Sequence, residues 1–220
     1  MGHVVVTHFV VATRPHGKDQ ILPNCNGVRS TIAVYSIMTS DAYQQAVTIG
    51  ERVPHNATIA LVPYDAHWPA AYSGIAEEIR AVLGEAVMRI EHVGSTSVPG
   101  LSAKPVIDIV LAVADSTDEA SYVPALEGQG FVLRIREPHW FEHRLLKAPT
   151  PVAGNVHVFS AGCVEIDRMI AFRDRLRTNT DDRTLYEETK RRLAAQVWEH
   201  VQHYADAKST VIRGIIDRIG

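Results

Sequence analysis

Glu91-His92-Val93-Gly94-Ser95-Thr96-Ser97-Val98-Pro99-Gly100-Leu101-Ser102-Ala103-Lys104-Pro105-Val106-Ile107-Asp108-Ile109-Val110 is the stretch that decides the fold. A strand from Val87 to Val93 runs into a Gly-Ser-Thr-Ser turn. A short connection carrying Lys104 then leads to a second strand, Val106 to Val113, which is almost wholly apolar. Such a strand is normally central and covered on both faces. Asp108 interrupts it, and a carboxylate in that setting is costly unless it is paired, hydrogen-bonded or bound to a metal. Gly94 lets another backbone approach closely. The hydroxyls of Ser95, Thr96 and Ser97, with the N–H groups of the turn, are suited to phosphate oxygens, and Lys104 adds positive charge. The same residues also make an ordinary turn, with Asp108 paired to Lys104, and residue types alone do not separate the two.

Outward from this stretch the pattern is mixed. Ile59 to Val62 is a short apolar segment ending at Pro63. Asp65 is placed to cap a helix with Pro69 in its first turn. Ala71, Ile75, Ile79, Val82 and Leu83 continue that helix, and Gly84 stops it. Beyond the apolar strand, Asp118 to Gln129 reads as a helix closed by Gly130. Phe131–Arg136, Trp140–Lys147 and Val152–Ser160 read as strands. From Glu165 the chain turns helical, with Leu185, Thr189, Leu193 and Gln196 on one face. Glu187, Glu188, Lys190, Arg191 and Arg192 are expected mostly outside. Asp206–Lys208 marks a break before a last helix, Ser209 to Ile219. The order implies an α/β (α+β) fold, a mixed sheet with flanking helices and a C-terminal helical segment. Residues 58–220 form that domain. Residues 1–57 read as a separate leader or a mis-called start, with Met38 an alternative initiator, or else as a strand at residues 1–11 that docks on the domain or a partner.

The 220 residues suffice for about one domain. Hydrophobic residues at 46% and charged residues at 21% argue against a disordered chain. A net charge of −3 gives no signal for a globally basic nucleic-acid binder. No apolar run approaches the roughly 18 residues of a membrane span. Two cysteines make no disulfide framework and no zinc set, which fits a reducing cytoplasm.

The segment from His92 to Leu101, with Ala103-Lys104-Pro105 and Ile107-Asp108, resembles the hallmark of the GrpB family, His-hydrophobic-Gly-Ser-Thr-Ser-Val-Pro-Gly-Leu followed by Ala-Lys-Pro and Ile-Asp. Further matches lie at Tyr64-Asp65 with Trp68-Pro69, at Asn155 with His157-Val158, at Phe172-Arg173-Asp174 with Leu176-Arg177, and at Tyr186 with Lys190. Tyr204 and Lys208 follow. The resemblance runs from about Ile59 to about Ile219. It implies the nucleotidyltransferase-like superfamily. There a Gly-Ser turn holds the triphosphate, and two carboxylates two residues apart hold magnesium from one strand face.

The chain departs from that pattern. Asp108 occupies the first acidic position and Val110 the second. Asn155 and His157 stand where a third acidic residue is expected, while Glu91 and Glu142 are candidate substitutes. The resemblance therefore implies Asp108 and His157 as catalytic residues, Asp108 as a ligand for magnesium, and Gly94, Ser95, Thr96, Ser97, Lys104, Arg173 and Arg177 as a phosphate or nucleotide site. Arginines suit such a site because they recognise phosphate bidentately. His139 and His143 read as surface residues, and Trp68, Trp140 and Trp198 as packing. Of the eleven histidines, His92 and His157 stand out. Two functions follow: magnesium-dependent nucleotidyl transfer to a small acceptor, or non-catalytic binding of a nucleotide or phosphate ligand, for example as an accessory module in coenzyme A metabolism. A structural protein with a degenerate pocket is the third alternative.

Overall fold

A computed structural model describes residues 40–149, 151 and 153–219. The expected strand at residues 1–11 and Met38 lie outside the described residues. Five strands form one sheet: β1 (Arg89–Val93), β2 (Ile107–Val113), β3 (Val132–Glu137), β4 (His143–Lys147) and β5 (Gly154–Ser160). Their order is β1-β2-β5-β4-β3. β2 runs parallel to β5, and the other neighbours are antiparallel. The helices are α1 (Asp41–Val47), α2 (Trp68–Leu83), α3 (Val123–Glu127), α4 (Val164–Thr178), α5 (Thr180–Ala194), α6 (Val201–Ala207) and α7 (Ser209–Ile216). The architecture is the expected mixed sheet with flanking helices. Among the described residues no helix is long and apolar enough to cross a membrane.

The apolar run of β2 is covered on both faces. Ile107, Ile109 and Leu111 pack with Ile75, Ala76 and Ile79 of α2 and Leu126 of α3. Val110 and Ala112 pack with Ile166, Met169 and Phe172 of α4 and Ile212 of α7. Side chains alternate along a strand, so Asp108 projects with Val110 and Ala112 toward the C-terminal helices. Across the parallel pairing Asp108 is opposite Asn155, and Val110 is opposite His157.

Several elements differ from the sequence reading. α2 begins at Trp68 with His67 as its cap. Asp65 acts just upstream, where its carboxylate accepts the His67 N–H at 2.9 Å and its carbonyl accepts the Trp68 N–H at 3.1 Å. The segment after Asp118 is not one helix. A 3-10 turn at Glu119–Ser121 precedes α3, because Pro124 has no N–H to donate and fits only a first turn. The buried stripe of α5 is Asp182, Tyr186, Lys190 and Leu193, whereas Leu185 is 42% exposed. Polar partners bring charged residues inside: Arg175 and Arg218 bind Asp182, and the Ser102 carbonyl accepts from Lys190.

Residues 40–57 are not separate from the domain. Ser40 caps α1 by accepting the Tyr43 N–H at 3.2 Å, and Val47 is buried in the core with Ile135 and Trp140. The Ile49 N–H donates to the Arg134 carbonyl at 2.8 Å, and the Trp198 N–H to the Ala57 carbonyl at 3.1 Å. Residues 40–57 therefore pack on the domain that follows them.

Gly94 joins β1 to the turn at φ 69° and ψ −172°, a conformation essentially confined to glycine. A Cβ there would lie 2.9 Å from the Asp108 Cβ. Gly94→Ala is expected to destabilise the fold by about 1–3 kcal/mol from backbone strain alone, with the clash adding to it. Urea denaturation beside the wild type measures the difference.

Candidate functional site

Asp108 opens onto a pocket lined by Ser95 and Thr96 of the turn after β1, Lys104 before β2, Asn155 of β5, Lys190 of α5, Tyr204 of α6, and Lys208 at the α6–α7 junction. Leu61, Val106 and Val201 complete the wall. The Asp108 side chain is 28% exposed. Its Oδ1 accepts from Asn155 Nδ2 at 2.7 Å, and Asn155 Oδ1 accepts from Lys147 Nζ at 2.5 Å. Burial raises the Asp108 pKa, but hydrogen bonding and charge from His157, with Asn155 and Lys147, outweigh it and leave the carboxyl below its usual range.

The positive charge of this region comes from lysines on four different segments. Lys190 is 2% exposed, donates to the Ser102 carbonyl and lies 4.9 Å from the Tyr186 ring centre. Lys208 is also buried, 4.6 Å from the Tyr204 ring centre. Burial pushes Lys190 down to about 7 and Lys208 down to about 8. Lys147, behind Asn155, is pushed down to about 7 by burial and by its neighbour Lys104, whose own pKa burial lowers. Lys104, Lys190 and Lys208 thus line one pocket with Asp108, with Lys147 behind Asn155, and concentrate positive charge there.

The structure brings Ser95, Thr96, Lys104 and Asp108 together at this pocket and gives the other expected residues different positions. The Thr96 hydroxyl contacts His92 Nε2 at 3.0 Å and donates to the Val106 carbonyl at 3.3 Å. The Ser97 hydroxyl donates to the Gly94 carbonyl at 2.6 Å. Both hydroxyls tie the turn together, while Ser95 interacts with the buried Tyr186 hydroxyl. His92 stacks on Tyr72 at 4.8 Å, and burial lowers its pKa to about 4, so it serves as a neutral packing residue.

Arg173 and Arg177 do not line the pocket, contrary to the expected phosphate site. Arg173 donates to Glu91 at 2.9 Å, to the His92 carbonyl at 3.0 Å and to Asp174 at 2.8 Å. Arg177 donates twice to the Ser97 carbonyl, at 3.0 and 2.8 Å. Both clamp the β1 turn to α4. Glu91 is engaged by Arg173 and Arg89, and Glu142 is an exposed turn residue, so neither replaces the missing acid beside Asp108.

Val110 is fully buried among apolar side chains. Among the described residues no three His, Cys, Asp or Glu side chains are arranged to hold a metal ion. His157 does approach Asp108, with Nε2 3.9 Å from Oδ1. His139 is exposed as expected. His143 is not, because it is fully buried between Glu137 and His157. That position follows from the β4–β5 pairing, which no local pattern reveals. The sequence did hold a signal for the missed lysines: Tyr186 and Lys190, like Tyr204 and Lys208, are four apart and share a helix face.

A lysine whose pKa falls on folding weakens the fold at low pH. Below about 7 both folded and unfolded chains carry the Lys190 proton, and the full penalty of its burial applies. As pH rises from there toward the unfolded value of 10.5, only the unfolded chain holds the proton, so Lys190 contributes increasing stability. Lys190→Met is expected to flatten that rise between pH 7 and 9.5, measured by urea denaturation across pH.

A family model described as "GrpB protein" matches residues 58–218. A UPF0157 protein of Halalkalibacterium halodurans is 56% identical over 179 residues, covering 81% of this chain and 91% of the relative. A UPF0157 protein of Streptomyces coelicolor is 46% identical over 167 residues, covering 76% and 87%. The crystal structure of conserved protein GrpB from Enterococcus faecalis is similar with a TM-score of 0.63 at 27% identity, covering 72% of this chain and 98% of that one. With its Gly-Ser-Thr-Ser turn against Asp108 and a family match across the whole sheet and the C-terminal helices, the chain belongs to the GrpB family.

Proposed function

We propose that the chain binds a small molecule bearing two or more phosphate groups, such as a nucleotide, in the pocket at Asp108, and that lysines supply the countercharge. The observation that carries this reading is that Lys104, Lys190 and Lys208, from three separate segments, line one pocket with Asp108, with Lys147 close behind Asn155. Lysine acts as a compact point charge for phosphate. The apolar wall from Leu61, Val106 and Val201 suits the uncharged part of such a ligand.

The donor set does not fit a pair of magnesium ions. Magnesium needs oxygen ligands in octahedral array, and Asp108 is the only carboxylate lining the pocket among the described residues. Its Oδ1 is already held by Asn155, and Val110 fills the second acidic position. No step of nucleotidyl transfer through two metals is assigned to these residues.

Calorimetric titration with sodium tripolyphosphate and with nucleoside triphosphates, in excess chelator, tests the reading. Binding is expected to persist without divalent metal. Lys190→Met and Lys208→Met are each expected to weaken it by about ten- to a hundredfold, the effect of losing one charged hydrogen bond. No binding at millimolar probe, with or without magnesium, would overturn the proposal. Affinity is also expected to fall as pH rises from about 7 to about 9, because Lys190, Lys147 and Lys208 lose their protons across that range. The same titration repeated across pH checks the slope.

A further inference from the structure

α5 and the C-terminal end of α6 bring the same two residue types to the pocket, a tyrosine and a lysine one turn later, but use their polar ends differently. In α5 both ends are engaged within the protein. The Tyr186 hydroxyl interacts with Ser95, and Lys190 donates to the Ser102 carbonyl. At α6 neither end is engaged. The Lys208 ammonium lies 4.6 Å from the Tyr204 ring centre, and no side-chain hydrogen bond holds it among the described residues. The Tyr204 hydroxyl is enclosed and has no hydrogen-bond partner among the described residues.

Tyr204 is 3% exposed and lines the pocket beside Ser95, Lys190 and Lys208. Its ring packs with Ile59, Leu193 and Val201, so an apolar ring of the same shape would serve that contact equally. The hydroxyl is what packing does not explain. A buried hydroxyl without a partner is unfavourable, and such groups are rare in folded proteins. Burial and then the nearby Tyr186 push the Tyr204 pKa up. The phenol therefore keeps its proton and is available as a donor. It also differs in kind from the lysines around it. An ammonium group acts as a point charge with rotatable donors, whereas a phenol on a packed ring donates from a fixed place.

We propose that the Tyr204 hydroxyl is a ligand-binding donor, which hydrogen-bonds a non-bridging oxygen of the phosphate group that Lys208 draws into the pocket. This rests on the phosphate reading of the same pocket. The group that satisfies Tyr204 must bring an acceptor oxygen, and Lys208 beside it favours an oxygen that carries negative charge. A phosphate oxygen meets both requirements. On this assignment the two tyrosines have separate tasks. Tyr186 holds α5 to the turn at Ser95, and Tyr204 fixes where the phosphate sits.

Tyr204→Phe removes the hydroxyl alone, because the ring beneath Lys208 is kept. Calorimetric titration of the full chain at pH 7 with sodium tripolyphosphate, and separately with a nucleoside triphosphate, reads the effect. Tyr204→Phe is expected to weaken both probes by about tenfold or more, the loss of one hydrogen bond to a charged group. Its urea midpoint is expected to stay at or above that of the wild type, because no bond within the protein is lost. Tyr186→Phe is the companion variant, and its midpoint is expected to fall with the loss of the contact to Ser95. Wild-type affinity of Tyr204→Phe for tripolyphosphate would overturn the assignment and leave the phosphate reading intact. A loss confined to the nucleoside triphosphate would also overturn it, since the hydroxyl would then meet the sugar or base. A Tyr204→Phe protein that fails to fold, or whose midpoint falls as far as that of Tyr186→Phe, would show a bond inside the protein and overturn it too. If the wild type binds neither probe, this assignment and the phosphate reading fall together.

Discussion

The Asp108 carboxylate lies on a strand whose remaining residues are sealed between two layers of helices, and compensating it shapes much of the molecule around it. An uncompensated charge in that position would be strongly unfavourable. Asn155 supplies the direct hydrogen bond, and Lys147 holds Asn155 from the next strand. Both partners are in place only because β2 runs parallel to β5 in the register that sets Asp108 opposite Asn155, and Asn155 opposite Lys147. Gly94, without a Cβ, lets the turn after β1 close directly over the same carboxylate.

The C-terminal helices complete this environment from the other side. α5 and α6 each present a tyrosine with a lysine one turn later, and each lysine lies over its tyrosine ring. The rings give the ammonium groups an electron-rich face in place of water. Burial still depresses both lysines toward neutral pH, which ties their charge to conditions in the pocket. Arg173 and Arg177 have a different task. By binding Glu91 and the carbonyls of His92 and Ser97 they fasten α4 to the turn and so set its distance from β2.

Local pattern was enough for the strands and for the break between α6 and α7, since alternation, apolar runs and breakers are properties of neighbouring residues. It was also enough to mark Asp108, because a carboxylate within Val106–Val110 is conspicuous against its neighbours. It failed where burial depends on a distant partner. Lys190 reads as a solvated helix residue until the Ser102 carbonyl and the pocket are brought against it. His143 reads as a surface residue until β3 places Glu137 beside it and β5 places His157 beyond. Arg173 reads as a phosphate ligand until Glu91, 82 positions away in sequence, takes its guanidinium.

The sequence by itself determined the family hallmark, the α/β class, the central apolar strand and the turn that meets it at Gly94. These follow from residue types and spacings that act over one strand or one helical turn. Tertiary structure alone decided which charges share the pocket with Asp108, which arginines fasten α4 to the turn, and how two buried histidines connect Asp108 to Glu137. Those outcomes depend on strand order, register and helix placement, which join residues tens of positions apart and leave no local period to read.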